Sequence, residues 1–150
     1  MALKEQLRAD MVSALKSKDE LRLSTLRMVL SAITNEEVAG KSARELSDDE
    51  VLKILAREAK KRREAAEAFE GAGRAELADK ERREGEVIDG YLPAQLGDDE
   101  LAAVVREAIT TSGAEGPQAM GQVMKVAGPL VAGRAEGGRV AAEVRRQLAG

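Results

Sequence analysis

Apolar residues recur at helical spacing from the start of this chain. Leu3, Leu7, Met11 and Leu15 lie four residues apart, so they share one face of a predicted α-helix. The charged stretch that follows interrupts the pattern, and Asp19 is placed to cap the next helix. The chain therefore begins with two predicted helices separated by a short break.

The second predicted helix carries a wider apolar stripe than the first. Its apolar residues recur at intervals of three and four, with two others beside them: Leu23, Leu26, Met28, Val29, Leu30 and Ile33. A stripe this wide is typical of a helix that packs on more than one side. Gly40 is predicted to end the helix.

The third and fourth helices are predicted to form a hairpin. The third begins where Ser47 and Glu50 match a capping box, and it runs to the glycines of residues 71–73. The fourth begins at about Arg74 and carries apolar residues as far as Tyr91. Because the middle of the fourth helix is polar, we expect the hairpin to project from the core as an arm.

The pattern changes at Pro93, which disfavours a helical conformation at the residue before it. Charge falls after this point, and three short helices are predicted, each with one apolar face: 101–109, 120–131 and 140–148. The sequence thus predicts an all-α fold. It consists of an N-terminal helical domain over residues 1–93 and a small three-helix C-terminal domain over residues 97–150.

Composition agrees with a helical fold and excludes several kinds of chemistry. Aromatic residues make up 1% of the 150 residues, and the chain has neither cysteine nor histidine. A histidine-based catalytic triad and a zinc site built from cysteine or histidine are therefore excluded, and we predict no metal and no cofactor. No segment is apolar enough for a signal peptide or a membrane span, which predicts a cytoplasmic protein with no membrane partner.

Two acidic clusters, at residues 47–50 and 97–100, contain carboxylates that a metal ion or an acid–base pair could use. Both clusters lie where helices are predicted to begin, and the positive end of the helix dipole favours acids there. No histidine accompanies either cluster. Capping is therefore the preferred interpretation of both.

The strongest basic run lies on the third helix and could form a secondary nucleic-acid patch: Arg57, Lys60, Lys61 and Arg63. A turn at residues 71–73 would place residues 60–63 opposite residues 82–86 of the fourth helix. Three acids near that point could pair with the basic side chains: Glu81, Glu84 and Glu86. We prefer the interpretation of a solvated hairpin with paired charges.

A glycine-rich turn joins the last two predicted helices. Residues 127–140 contain four glycines and one proline, and a helix that starts after glycines offers free backbone N–H groups to a phosphate. Gly121 would in addition allow close approach of a neighbouring helix. Residues 121–150 contain five basic residues and two acids, although the whole chain has a net charge of −3. The glycines and basic residues of this region form a candidate polyanion site: Gly121, Lys125, Gly133, Arg134, Gly137, Gly138, Arg139 and Arg145.

The alternative interpretation is equally open on these residues alone. The glycines would then only make the turn, and the arginines would be ordinary surface side chains. The stretch matches neither a phosphate-binding Walker loop nor a dinucleotide fingerprint.

Five segments, in this order and at these intervals, resemble the GatB/YqeY family: LRMVLSAI, REAKKRREAAEAFEGAGRAELADKE, YLPAQL, MGQVMK and GRAEGGRV. The resemblance covers essentially the whole chain and points to the small free-standing YqeY-like proteins. It implies a helical N-terminal domain joined to a three-helix C-terminal domain. The same module forms the tail of the B subunit of glutamine-dependent aspartyl/glutamyl-tRNA amidotransferases, where the tail contacts the body of the tRNA.

The resemblance identifies the residues that match the tail motif: Met120, Gly121, Met124, Lys125, Gly133, Arg134, Ala135, Gly138 and Val140. One departure is visible. Many members have an acidic residue, a glycine and then a variable position, whereas here Glu136 precedes two glycines. The second glycine is expected to loosen the turn without removing it.

The resemblance does not extend to catalysis, because the Ser-Ser-Lys machinery of a glutaminase and a nucleotide-binding kinase core are both missing. We therefore expect a non-catalytic module that binds tRNA or a tRNA-charging complex through its C-terminal domain. With so few aromatic residues it should read phosphate and shape rather than stacked bases. Two alternatives remain: an adaptor that docks a protein partner through the hairpin, and a carbon–nitrogen ligase with glutamine as amido donor, the class implied by the family name.

Overall fold

A computed structural model describes residues 2–131 and 133–149 of the chain; most of these residues lie in helices and none lies in a strand. The elements in order are α1 Ala2–Ser17, α2 Glu20–Val38, α3 Asp48–Gly71, α4 Ala75–Asp89, α5 Asp98–Ser112, a 3-10 turn Pro117–Ala119, α6 Met120–Val131 and α7 Gly137–Ala149. The predicted all-α fold class is confirmed. None of these helices, within the described part of the chain, is long and apolar enough to cross a membrane.

The chain divides into two compact units, one ending at Leu92 and the other beginning at Pro93. Each unit has a hydrophobic core of its own. Whether the units are independent domains with the predicted bounds of 1–93 and 97–150 remains a prediction, and a core substitution discussed below tests it.

The core of the N-terminal unit contains residues of α1 to α4 and of the segment before α3: Leu7, Leu26, Val29, Ile33, Leu46, Val51, Ile54, Leu55, Ala59 and Ile88. The apolar stripe predicted on α2 is well represented in it. The stripe predicted on α1 is wrong at its last position, because Leu15 is 55% exposed and Ala14 is buried instead. A spacing of four drifts by about 40° per step around a helix of about 3.6 residues per turn, so Ala14 rather than Leu15 lies on the face of Leu3 and Leu7.

The caps read from the sequence are confirmed. The Asp19 carboxylate accepts from the amide of Arg22 at the start of α2. Ser47 and Glu50 exchange the two hydrogen bonds of a capping box at the start of α3. Arg44 also donates to both carboxylate oxygens of Glu50, and these bonds hold the pKa of Glu50 at about 2.

The stability that Glu50 contributes should depend on pH. Its pKa is about 2 in the folded chain against an ordinary 4.5, so its contribution is complete above pH 4.5 and is lost as the pH falls toward 2. We expect Glu50→Gln to lower stability at neutral pH and to flatten the loss between pH 4.5 and 2, measured by urea unfolding at a series of pH values. The exposed Glu67→Gln should keep the wild-type profile. A Glu50→Gln profile parallel to wild type would contradict the expectation.

A buried ion pair joins the start of α1 to the end of α2. Lys4 is only 8% exposed, and its Nζ lies 2.7 Å from each carboxylate oxygen of Glu37. The hydrogen bond from Lys4 lowers the pKa of Glu37. The pair fixes the antiparallel register of the two helices. It also lies just before the end of α2, which stops at Val38 rather than at the predicted Gly40.

The hairpin of α3 and α4 forms as predicted, and it turns at Gly73 with φ 75°. Arg62 pairs across it with Glu81 and Glu84, with a closest N–O distance of 3.4 Å in each case. Its Nη1 also lies 2.8 Å from the sulfur of Met28, so α2 packs against this part of the hairpin.

Tyr91 lies just after α4 rather than inside it, contrary to the sequence prediction. Its hydroxyl donates to Asp10 of α1 at 2.5 Å and accepts from Arg22 of α2 at 3.0 Å. Burial, and then the bond to Asp10, raise the pKa of Tyr91 to about 12. One side chain therefore ties the chain after α4 to both N-terminal helices.

The C-terminal unit packs α5, α6 and α7 around a second core: Leu96, Leu101, Val105, Ala108, Ala119, Val123, Ala127, Val131, Ala135, Val140 and Val144. The bounds of α6 agree with the prediction. The helix α5 starts at the acidic cluster of residues 97–100 as predicted, where Glu100 accepts from the amide of Gly97. It runs past the predicted 109 to Ser112, and Gly113 ends it with φ 65°. The helix α7 begins at Gly137, three residues earlier than predicted.

Candidate nucleic-acid interface

The helix α6 has one buried face and one exposed face with few side-chain atoms. Val123, Ala127 and Val131 are buried in the core of the C-terminal unit. On the opposite side, where Gln122 is also exposed, four residues recur at intervals of about four and three: Gly121, Lys125, Gly128 and Pro129. We call these four residues the α6 outer face.

The two glycines of the α6 outer face have no packing role within the described chain. A Cβ atom added at Gly121 or at Gly128 would meet no described atom within 4 Å. The expectation that Gly121 permits close approach of a neighbouring helix of the same chain is therefore wrong. A glycine inside a helix costs about 0.5–1 kcal/mol relative to alanine, so open backbone beside Lys125 is kept here at a loss of helix stability.

The glycine corner, residues 133–138, is hydrogen-bonded to residues 95 and 96, whereas the sequence suggested an open turn. Gly133 has φ 79°, a conformation that favours glycine. Its carbonyl accepts from the side chain of Gln95 at 3.1 Å, and the carbonyl of Arg134 accepts from the amide of Leu96 at 2.7 Å. Two segments that carried the family resemblance, YLPAQL and GRAEGGRV, are thus hydrogen-bonded to each other.

Arg139 is engaged inside the C-terminal unit. Its guanidinium donates to the carbonyl of Leu96 and to the carboxylate of Asp98, each at 3.0 Å. A polyanion that used Arg139 would have to compete with Asp98. Arg146 is likewise paired, with Glu143 at 2.6 Å, and this bond holds the pKa of Glu143 at about 2.

The sequence predicted free backbone N–H groups at the start of the last helix, and the first turn of α7 differs from that prediction in two ways. Gly137 and Gly138, predicted in the loop, are helical. A Cβ atom on Gly138 would lie 2.8 Å from a carboxylate oxygen of Glu136, so this carboxylate lies against the turn. An acid at this position is stabilised by the helix dipole. The start of α7 therefore already has an anion from its own chain.

The remaining basic residues of the predicted site are accessible. Lys125 and Arg145 are exposed, and neither forms an ion pair with another described residue. Arg134 is half-buried, and its Nη2 lies 3.5 Å from the Leu130 carbonyl. The accessible positive charge of the site thus comes from Lys125, Arg134 and Arg145.

The secondary basic patch on α3 is mostly paired with acids. Arg57 lies 4.0 Å from Glu36, Lys60 lies 3.8 Å from Glu64, and Lys61 lies 3.0 Å from Glu58. Arg63 is exposed. These pairs agree with the preferred interpretation of a hairpin with paired charges, although most of them lie along α3 rather than across the hairpin.

Neither acidic cluster gathers into a metal site. Among residues 2–131 and 133–149, no group of three or more carboxylate, histidine or cysteine side chains could hold a metal ion. The clusters instead supply helix caps at Glu50 and Glu100, as the preferred interpretation predicted.

Comparison with known proteins identifies the family. Residues 4–148 match the family model described as Yqey-like protein. "Altered inheritance of mitochondria protein 41, mitochondrial" of Pyrenophora tritici-repentis is 30% identical over 134 residues, which cover 87% of this chain and 71% of the relative. The protein of the same name from Clavispora lusitaniae is 33% identical over 91 residues, covering 61% of this chain and 52% of the relative.

A third relative, an uncharacterized protein of Schizosaccharomyces pombe, is 35% identical over 92 residues, covering 61% of this chain and 72% of the relative. The chain thus spans about half the length of the Clavispora relative and under three quarters of the other two. The family-model match covers nearly the whole chain, and it agrees with the resemblance carried by the quoted segments. This chain belongs to the YqeY-like family.

Proposed function

We propose that this chain is a non-catalytic helical module that binds tRNA, or a complex engaged in charging tRNA, through its C-terminal unit. The observation that carries the proposal is the α6 outer face. Two glycines on an exposed helical face leave the backbone bare on either side of Lys125. A bulky, uniformly charged partner can approach such a face closely and place a phosphate beside the ammonium group.

The charges and composition of the C-terminal unit support phosphate recognition rather than base recognition. The only aromatic residues of the chain, Phe69 and Tyr91, precede this unit, so it has no ring on which a base could stack. Lys125, Arg134 and Arg145 supply a local positive charge in a chain of net charge −3. Affinity should therefore depend strongly on salt concentration.

The geometry favours this function over its alternatives. Docking of a protein through the hairpin has less support, since many of the hairpin's charged side chains are paired with each other. Within the described residues nothing favours a carbon–nitrogen ligase.

We also propose a cytoplasmic location. The curated relatives from Pyrenophora and Clavispora are named mitochondrial, so cell fractionation is the direct test of this location.

The double variant Lys125→Ala with Arg134→Ala should bind tRNA about tenfold more weakly in low salt, because two phosphate contacts are lost. The slope of log affinity against log salt concentration should fall by about 2, one for each phosphate contact. Filter binding or fluorescence anisotropy at several salt concentrations measures both quantities.

A charge-matched control separates a local site from general electrostatics. Lys41→Ala with Lys53→Ala changes the net charge equally but alters exposed lysines of the N-terminal unit, and it should leave binding nearly unchanged. If Lys125→Ala with Arg134→Ala gives the wild-type isotherm at two salt concentrations, the proposal fails.

Alanine at Gly121 tests the bare backbone itself. Gly121→Ala should raise stability by about 0.5–1 kcal/mol, since the new methyl group meets open space. On this proposal the more stable variant binds tRNA less well. Raised stability with unchanged affinity would remove the role of the bare backbone and leave only the basic residues.

A further inference from the structure

A cleft lies between α2 and α4 in the N-terminal unit. It has a volume of about 430 Å³ and is lined by Glu20, Leu21, Leu23, Ser24 and Arg27 of α2 and by Lys80 of α4. Its volume falls within the range of about 300–1,000 Å³ that is usual for small-molecule sites. None of its lining residues belongs to the nucleic-acid interface proposed above.

Two cations from different helices face this cleft. Arg27 is exposed and forms no ion pair with another described residue. The acid nearest to Lys80 is Glu84, at 4.0 Å. The other carboxylate oxygen of Glu84 lies 3.4 Å from Arg62, so the charge of Glu84 is already shared with a more buried cation.

The lining residues of the cleft include one acid, Glu20. Glu20 lies in the first turn of α2, where the positive end of the helix dipole stabilises a carboxylate. The lining residues thus carry two positive charges and one negative charge, and this net positive charge would attract an anion.

The lining of the cleft also has an apolar part. Leu21 and Leu23 are half-buried, and Leu23 lies one helical turn before Arg27 on the same face of α2. A ligand with both an anionic group and an apolar part matches this combination.

We propose that the cleft binds a small organic anion. A phosphate or carboxylate group lies between Arg27 and Lys80, and an apolar body lies over Leu23. The site is independent of tRNA binding, because all of its lining residues belong to the N-terminal unit.

Titration of the full chain with phenyl phosphate, followed by NMR of the backbone amides, tests this site. Saturable shifts are expected at Leu23, Ser24 and Lys80. Benzoate distinguishes carboxylate from phosphate recognition, inorganic phosphate lacks the apolar body, and phenol lacks the charge. We expect inorganic phosphate and phenol to bind at least tenfold more weakly than phenyl phosphate.

Variants assign the binding to the cleft. Lys80→Gln and Arg27→Gln should each weaken phenyl phosphate at least tenfold, whereas Lys53→Gln, an exposed lysine outside the cleft, should not. Equal affinity for inorganic phosphate, or shifts that persist unchanged in Lys80→Gln, would overturn the proposal. Because tRNA binding is measured separately, failure here leaves the function proposed for the C-terminal unit untouched.

Discussion

Replacing Leu55 by alanine is expected to lower the stability of the N-terminal unit by about 3 kcal/mol and to leave the C-terminal unit unchanged. Leu55 is fully buried in the first core, and its removal leaves a cavity that the surrounding helices can fill only in part. No residue of the first core belongs to the second. The two units should therefore unfold in separate steps if they are the domains that the sequence predicts.

Hydrogen exchange during urea unfolding measures this, because each helix reports on its own unit. The matched variant Val144→Ala alters the second core, where Val144 is fully buried, and should shift only the exchange of α5 to α7. If Leu55→Ala lowers the midpoints of both units equally, the prediction of independent domains with a boundary near Pro93 is wrong.

Replacing Arg62 by methionine should destabilise the hairpin by about 3 kcal/mol, because it leaves the largely buried carboxylate of Glu81 without its cation and that of Glu84 with only Lys80, at 4.0 Å. The side chain of Arg62 is 18% exposed, that of Glu81 19% and that of Glu84 10%. The Nε of Arg62 and the facing oxygen of Glu81 are fully buried without a hydrogen bond, so charge alone holds that contact. Thermal unfolding followed by circular dichroism measures the loss.

Two further variants show whether the loss comes from unpaired charge. Arg63→Met changes the exposed neighbour of Arg62 and should alter stability by less than about 0.5 kcal/mol. Adding Glu81→Gln and Glu84→Gln to Arg62→Met removes the orphaned charges and should restore more than half of the lost stability. A triple variant no more stable than the single variant would assign the effect to packing instead.

Periodicity and caps account for most of what the sequence predicted of the fold. The helix caps and the bounds of α6 depend on residues within a few positions of each other, and local patterns carry that information. The start of α7 was misplaced because Gly137 and Gly138 are ordinarily helix breakers, and Glu136 is not among the favoured capping residues. Leu15 was misplaced because a strict spacing of four residues drifts around the helix, and after three steps it has left the buried face.

The candidate site shows the limit of local patterns more clearly. The exposed positions of Lys125 and Gly121 follow from helical spacing, and they could be read from the sequence. The bond between Arg139 and Asp98 joins residues 41 positions apart, and no pattern along the chain signals it. Nor did any pattern indicate that Tyr91 would contact Asp10, 81 positions away.

The bond of Tyr91 gives the chain a natural optical probe. Tyr91 is the only tyrosine and there is no tryptophan, so one phenol ring dominates the near-ultraviolet absorption. Its pKa of about 12 compares with an ordinary 10.0, so in alkaline solution near the ordinary value a folded molecule keeps this phenol neutral while an unfolded one is half ionised. The near-ultraviolet absorbance of the phenolate would then measure the fraction of molecules in which the junction of α1, α2 and the chain after α4 has opened.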